Sequence, residues 1–140
     1  KMIQGFLKDG TPVFFDVPTS FDHPRLFVGK AFFADVHSSV FLDGENNLYY
    51  FVQTGKTRTL YKNKTPLYAY EGFYGIVSDV GEDGAIYFVA NSRLGTTLYR
   101  YNADKTVDRV SEADNIIEAR LVSKTEVFLA ATSADTFQAG

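Results

Sequence analysis

The two histidines, His23 and His37, are the side chains best suited to acid–base chemistry or metal binding near neutral pH. His37 lies two residues after Asp35, and residues two apart on a β-strand point to the same face, so this pair could form a metal site or a general base. A metal would need a further ligand, and the sequence signals none. We therefore favour an interpretation in which each histidine ends a loop and bonds a neighbouring carboxylate.

No complete catalytic pattern accompanies the histidines. The chain has no Gly-x-Ser-x-Gly motif and no phosphate-binding glycine loop, and it has no cysteine, which excludes thiol nucleophiles, disulfides and Cys-x-x-Cys zinc sites. Carboxylates that could act in pairs occur in two groups, which are Asp79, Glu82 and Asp83, and Asp108, Glu112 and Asp114. We interpret both groups as solvated turn residues, and we predict no catalytic residue, no metal site and no cofactor.

Tyrosines are candidates for binding rather than catalysis. Tyr68, Tyr70 and Tyr74 surround Gly72, at the end of a predicted strand and in the connection that follows it. A tyrosine combines flat apolar area with a hydroxyl group, which suits contact with a peptide or a carbohydrate. The alternative is that these rings pack inside the protein.

A basic hairpin is the second binding candidate. Lys56, Arg58 and Lys62 lie in a stretch, residues 55–64, that contains no acidic residue. Such a stretch could bind an acidic partner or a polyanion. Lys56, Arg58 and Lys62 lie an even number of positions apart, which places them on one face of a strand. This spacing favours instead a solvated face, or a sheet edge that the charges protect from pairing with another strand.

The strands that position these side chains follow a repeat. Turn signals recur at Asp9-Gly10, Asp43-Gly44, Asp83-Gly84 and, more loosely, Lys124-Thr125, at intervals of 34, 40 and 41 positions. A short apolar, β-prone run follows each signal. Asp-Gly between two such runs is typical of a hairpin, because glycine adopts a positive φ without steric cost.

Each repeat is predicted to hold four short strands. The first strands lie at 3–7, 39–42, 76–80 and 119–122, and the second strands follow the turn signals. The third strands lie at 25–28, 59–62, 97–100 and 136–137, and the fourth at 31–34, 67–70 and 107–110. We therefore predict one repeat-built β domain over residues 1–140, with units at 1–35, 36–74, 75–114 and an incomplete unit at 115–140.

Pairs of adjacent aromatic residues bear on how these sheets pack. In Phe14-Phe15, Phe32-Phe33 and Tyr49-Tyr50, neighbouring side chains point to opposite faces of a strand. Both faces of each sheet should then be covered, as in the blades of a β-propeller, whereas a β-sandwich leaves one face of each sheet in water. We predict an all-β fold of four-stranded antiparallel repeats that forms a partial β-propeller. The alternative is a β-sandwich whose outer aromatics form a binding surface.

The third repeat resembles the blades of TolB-like propellers, best over residues 76–114. The resemblance rests on the turn Asp83-Gly84, on the strand and loop at 86–93 (IYFVANSR) and on the strand and turn at 98–105 (LYRYNADK). Lys105 stands where that family has a turn glycine, and Gly81-Glu82 stands where it often has Ser-Pro. The resemblance implies a propeller that acts as a binding platform or an accessory domain, and it indicates no particular family member.

Composition limits the partners. The net charge of -3 and the pI near 5.3 predict no basic surface for nucleic acid or for an anionic membrane. No window approaches 18 consecutive apolar residues, so no membrane span is predicted. A chain without cysteine fits the periplasm and the cytoplasm alike, which leaves the compartment open. Because the first residue is Lys1, we expect a processed product or a piece of a longer protein.

The function predicted from these features is a non-catalytic binding or scaffolding segment of a β-propeller. Three and a half repeats do not close a ring of four to eight blades, and an open sheet edge attracts other strands. The segment should therefore engage a partner protein, the remainder of its own chain or, as a homo-oligomer, a second copy of itself. Two alternatives are the propeller domain of a peptidase or sugar-processing enzyme with its chemistry elsewhere, and an extracytoplasmic sensor or ligand-binding domain.

Overall fold

A computed structural model describes residues 2–16, 24–92, 95–110, 116–121, 127–132 and 137–139. These residues form fifteen strands and no helix, arranged as three four-stranded antiparallel sheets and one three-stranded sheet. The prediction of an all-β chain with four-stranded antiparallel sheets is confirmed. The described sheets are not closed, so the β-propeller stays a prediction. The chain divides into two compact units, Lys1–Glu71 and Gly72–Gly140.

The first unit holds two sheets in which every strand pairs with the next one along the chain. The strands of the first sheet are β1 (Met2–Phe6), β2 (Pro12–Asp16), β3 (Arg25–Val28) and β4 (Ala31–Asp35). Those of the second sheet are β5 (Phe41–Leu42), β6 (Leu48–Thr54), β7 (Thr57–Lys62) and β8 (Thr65–Glu71). All eight strands overlap their predicted positions, because short β-prone runs between turn residues have few other ways to pair their backbone groups.

The predicted Asp-Gly turns are stabilised by their aspartates. In each turn the carboxylate Oδ1 accepts a hydrogen bond of 2.8–3.0 Å from the backbone N–H two residues further on, and these aspartates are Asp9, Asp43 and Asp83. Gly10 and Gly84 adopt positive φ angles of 88° and 85°, as expected. In the second turn the residue with positive φ is Asn46, at 64°, rather than Gly44. The fourth turn signal, Lys124-Thr125, lies outside the described residues.

The two sheets of the first unit pack face to face. The contact buries large apolar side chains from both sheets, which include Val13, Phe15, Leu26, Leu48 and Tyr50. Phe33 of β4 meets Tyr50 of β6 edge to face, with ring centroids 6.3 Å apart. Burial of one such side chain stabilises the fold by about 1.5–3 kcal/mol, so this contact forms the core of the unit.

Gly5 permits a close approach between the two sheets. A Cβ atom built on Gly5 would overlap Cδ1 of Leu42 in β5. The pairing of β1 with β2 also shifts its register between Ile3 and Gly5, as at a β-bulge. β1 and β5, the first strands of their sheets, therefore lie closer together than a side chain at this position would allow.

The second sheet is buried on both of its faces. Tyr49, Tyr50 and Phe51 follow one another in β6 and alternate between the faces, yet all three are buried. Leu60 of β7, which pairs with Phe51 of β6, is buried too. For Tyr49-Tyr50, the prediction that adjacent aromatics are covered on both sides is confirmed.

The second unit repeats the same strand order. The third sheet consists of β9 (Gly75–Val80), β10 (Ile86–Ser92), β11 (Gly95–Tyr101) and β12 (Val107–Arg109). The three-stranded fourth sheet consists of β13 (Ile116–Leu121), β14 (Val127–Thr132) and β15 (Phe137–Ala139). In β10 the consecutive residues 86–90 are all buried, so the third sheet, like the second, is covered on both faces.

Candidate functional site

The outer face of the first sheet carries an apolar row. Register pairs bring one residue from each strand side by side, and these four residues are Ile3, Phe14, Phe27 and Phe32. The rings of Phe14 and Phe27 stack with centroids 5.5 Å apart and planes 8° apart, and Phe32 meets Phe27 edge to face at 5.7 Å. The row thus spans all four strands of the sheet.

The apolar row is open to solvent at both of its ends. Ile3 is 56% exposed and Phe32 is 52% exposed, although both belong to the β-prone runs that normally fill a core. Phe6, further along β1, is 62% exposed. Exposed apolar side chains that form one continuous patch mark an interaction surface more often than scattered ones do.

Charged residues flank the apolar row, and Arg25 forms an ion pair there. Arg25 Nη2 lies 3.1 Å from Asp16 Oδ2, and these two residues are register partners on the same face. The Arg25 guanidinium also lies over the ring of Phe27, at 5.9 Å from its centroid. Both charged side chains are partly exposed, so the pair contributes little stability.

Phe32-Phe33 departs from the sequence prediction. The pairing of β3 with β4 shifts its register so that Phe33 is skipped, and Phe33 packs toward the second sheet. Phe32 remains on the outer face and is exposed. The expectation that both rings of this pair are covered is therefore wrong for Phe32.

An open pocket lies at one end of the first two sheets. Its volume is about 620 Å³, and it is lined by Met2, Phe15, Pro24, His37, Ser38, Ser39, Gln53 and Arg58. The polar residues come from the β4–β5 connection and from the hairpin of β6 and β7. We call this feature the sheet-end pocket.

Hydrogen bonds hold the polar wall of the sheet-end pocket in place. Arg58 donates from Nη2 to the carbonyl oxygen of His37 at 2.8 Å and from Nη1 to Gln53 Oε1 at 3.0 Å. The backbone N–H of Gln53 donates to Nδ1 of His37 at 3.0 Å. Ser38 Oγ accepts from the backbone N–H of Phe51 and donates to the carbonyl of Ser39. The side chains of the wall are thus pre-positioned.

The basic hairpin does not form one solvated face. Arg58 is only 6% exposed, and its guanidinium lies over the ring of Phe51 at 5.5 Å from the centroid. Lys62 lies over the ring of Tyr49, and Lys56 is exposed in the turn between β6 and β7. The predicted solvated face is therefore wrong for Arg58, because hydrogen bonds to the β4–β5 connection draw it inward.

The predicted tyrosines occupy two different environments. In the first unit, Tyr68 and Tyr70 lie on β8 with ring centroids 5.9 Å apart, and Tyr70 meets the buried Phe51 edge to face at 6.1 Å. Tyr74, in the second unit, is exposed beside the exposed Phe73. Packing accounts for Tyr70, while Tyr74 keeps the exposure that a binding residue needs.

Among the residues that the structure describes, those considered for catalysis do not assemble into a site. β4 ends at Asp35, so His37 lies in the β4–β5 connection and the two do not share one strand face, which disfavours the metal site or general base considered for this pair. His37 bonds a backbone N–H rather than a carboxylate through Nδ1. Asp79 and Asp83 accept hydrogen bonds from the backbone of β9 and of the third Asp-Gly turn. His23, Glu112 and Asp114 lie outside the described residues.

Asp108 has a structural environment as well. Its Oδ2 accepts from Arg100 Nη2 at 3.2 Å and from Asn102 Nδ2 at 2.9 Å. These hydrogen bonds, from Asn102 first and then from Arg100, lower the pKa of Asp108. The carboxylate is thus held ionised on the hairpin of β11 and β12.

The described residues form neither a metal centre nor a membrane helix. Within the described ranges, no group of three or more histidines and acids could hold a metal ion. No helix long and apolar enough to cross a membrane occurs there either. The chain matches no model of a known protein family, no curated protein and no solved structure.

Sequence reasoning missed the two surfaces that the structure brings out. The apolar row was hidden because Ile3, Phe14, Phe27 and Phe32 are far apart in sequence and carry the same signal as core residues. The alternation of side chains along a strand could assign each residue to one face of the sheet. Only the register between strands shows that the four residues lie side by side. The sheet-end pocket was missed for a related reason, since its residues come from four strands, from the β4–β5 connection and from Pro24, which are far apart in sequence.

Proposed function

We propose that this chain is a non-catalytic binding and scaffolding segment of a β-propeller, which docks a further four-stranded sheet on the apolar row. The observation that carries this proposal is the apolar row itself, exposed on a sheet whose opposite face is covered by a similar sheet. The further sheet comes from the remainder of a longer chain that continues the same repeat.

The packing inside the first unit supports this occupant. The first sheet presents Val13, Phe15 and Leu26 to the second sheet, which meets them with Leu48 and Tyr50. Its outer face offers side chains of the same kind across the same four strands. A flat, four-strand-wide apolar surface is complementary to another sheet, because facing sheets interdigitate their side chains about 10 Å apart.

The charges beside the apolar row argue in the same direction, because acidic Asp16 and Asp35 both pair in register with the basic Arg25. The flanking ion pair, Arg25 with Asp16, is satisfied within the sheet. A polyanion or an anionic membrane would be selected by an excess of basic residues, whereas an apolar face without such an excess selects another apolar protein surface. The net charge of -3 for the whole chain fits this selection.

The test uses the 140-residue chain with a charge placed on the apolar row. We expect the chain to bind an apolar dye such as ANS and to self-associate weakly with rising concentration, because the row is uncovered. Phe32→Lys should reduce both signals without loss of stability, since Phe32 is half exposed. Thr65→Lys, an exposed position on β8, is the matched control and should change neither.

Light scattering and dye fluorescence distinguish the outcomes. A stable monomer that does not bind the dye would contradict the proposal, since nothing would then remain to be covered. A stoichiometric dimer that Phe32→Lys dissociates would also overturn it, because the occupant of the row would be a second copy of the chain.

A further inference from the structure

Each of the three four-stranded sheets carries a pair of stacked aromatic rings at the same place. One ring comes from the second strand of the sheet, and the other is its register partner in the third strand. The pairs are Phe14 with Phe27, Tyr50 with Tyr61 and Phe88 with Tyr99, with ring centroids 5.5, 5.5 and 5.7 Å apart. One face of each sheet is therefore built in the same way.

In the second sheet, the face with the stacked pair packs against the first sheet. Phe33 of β4 meets the buried Tyr50 edge to face, with centroids 6.3 Å apart. In the first sheet, the equivalent pair of Phe14 and Phe27 lies in the apolar row. The apolar row is thus the counterpart of a surface that already docks a neighbouring sheet.

Backbone hydrogen bonds extend this equivalence to the first strands. The N–H of Leu7 and the N–H of Asp43 each donate to the carbonyl oxygen four positions later, at 2.9 and 3.2 Å. Leu7 therefore corresponds to Asp43 and, one position earlier, Phe6 of β1 corresponds to Leu42 of β5. Phe6 and Leu42 also both pair with the residue that begins the second strand of their own sheet.

The two corresponding side chains differ in what lies above them. Leu42 occupies the space over Gly5 of the first sheet, where a Cβ atom would overlap its Cδ1. Phe6 has the equivalent position on the face of the apolar row and is 62% exposed. A strand that covers Phe6 in the same way needs a residue without a side chain at the point of contact, since overlap of this kind opposes packing.

We infer that the sheet which covers the apolar row is another copy of this repeat, and that a glycine in its first strand receives Phe6. The covering sheet packs with the face that the first sheet turns toward the second, so an aromatic residue of its fourth strand meets Phe14 as Phe33 meets Tyr50. This inference rests on the proposed function. It adds which face of the covering sheet is used and which contact fixes its position.

The test extends the 140-residue chain with a second copy of residues 1–36 placed before Lys1. The added copy supplies its own Gly5 at the spacing that separates Leu7 from Asp43. It therefore offers the original first sheet the same neighbour that the second sheet has.

A single thiol reports whether the apolar row is covered. The chain has no cysteine, so Pro12→Cys in the original segment places one thiol next to Phe6. The counterpart of Pro12 in the second sheet is Leu48, which is buried. We expect this thiol to react with DTNB at least about tenfold more slowly in the extended chain than in the 140-residue chain, because the reagent reaches it only after local opening. Thr65→Cys, at an exposed position on β8, is the control and should react equally fast in both chains.

Two further substitutions test the glycine contact in the extended chain with Pro12→Cys. Gly5→Val in the added copy should restore fast labelling, because the new side chain overlaps Phe6. The backbone of Gly5 does not adopt a positive φ, and valine suits a strand. Adding Phe6→Ala in the original segment should make labelling slow again, since it removes the ring that the valine obstructs.

The outcomes separate this inference from the proposed function. Labelling that is slow in the extended chain and unaffected by Gly5→Val would overturn the glycine contact while supporting a sheet on the apolar row. Fast labelling after Gly5→Val that Phe6→Ala fails to slow would overturn the contact as well. Equal labelling in the two chains would overturn the inference, and the dye assay on the 140-residue chain then decides whether the proposed function fails with it.

Discussion

The first and second sheets are built from the same kinds of residue, yet they meet solvent differently. In the second sheet, Tyr50 on one face and Phe51 on the other are both buried. In the first sheet, Phe15 is buried on one face, while the other face presents Phe32 at its edge. An aromatic residue in a strand therefore fills a core or forms a surface according to what lies above its face, not according to its own sequence signal.

The largest expected effect comes from one substitution made in each sheet. Phe51→Ala should lower the free energy of unfolding by about 3–5 kcal/mol, because it leaves a cavity at a fully buried position. Phe32→Ala should change it by less than about 0.5 kcal/mol, since its ring is half exposed. Urea denaturation of the two variants measures both values. Equal effects would mean that the outer face of the first sheet is covered in solution.

The inner face of the first sheet can be examined at Gly5. Gly5→Ala should destabilise the chain by about 1–3 kcal/mol, because the new methyl group overlaps Cδ1 of Leu42. In the double variant with Leu42→Ala, which removes the obstructing atoms, the two effects should be less than additive. Additive effects in thermal or urea unfolding would show that β1 and β5 are not in close contact.

The second face of the second sheet is examined at Tyr70. Tyr70→Ala should cost about 1–2 kcal/mol, since the ring packs on Phe51 and lies near Tyr68. Tyr74→Ala, at an exposed position, should cost less than about 0.5 kcal/mol. A large loss of stability in Tyr74→Ala, measured by the same unfolding assay, would remove Tyr74 from the candidates for binding.

The smallest effect concerns the turns of the two sheets at low pH. Burial raises the pKa of Asp43, but hydrogen bonds from Asn47, Tyr49 and Glu45 together outweigh it and leave the pKa lowered. The pKa of Asp9 is lowered mainly by its hydrogen bonds with Thr11. A carboxyl group whose pKa is lower in the folded chain than in the unfolded chain stabilises the fold at pH values above its unfolded pKa. This stability is lost as the pH falls through the folded pKa.

Stability measured between about pH 5 and pH 2 separates these turns. The parent chain should lose stability as the pH falls, and Asp43→Asn should reduce this loss more than Asp9→Asn does. The reason is that Asp43 also accepts hydrogen bonds from the side chains of Asn47 and Tyr49. An acid dependence that is the same in both variants as in the parent chain would assign the loss to other carboxylates.

Much of the local structure could be predicted from the sequence, and the candidate surfaces could not. The Asp-Gly turns and the β-prone runs predict hairpins from interactions only a few residues apart, and the strands lie at these positions. Arg58 was expected in water because its spacing from Lys56 and Lys62 along the strand predicts a solvated face. Its position is decided instead by the carbonyl of His37 and by Gln53, which no local pattern places beside it.

The sequence by itself determined the strands, their turns and the antiparallel four-stranded sheets, because turn chemistry and β-propensity act over short distances along the chain. The tertiary structure decided which faces are covered. The register shift in β4 that turns Phe33 inward and leaves Phe32 outside, and the pairing that aligns Ile3 with Phe14, Phe27 and Phe32, depend on contacts between strands. A face is buried only when another surface packs against it. The amino-acid sequence therefore indicates which faces are apolar without indicating what packs on them.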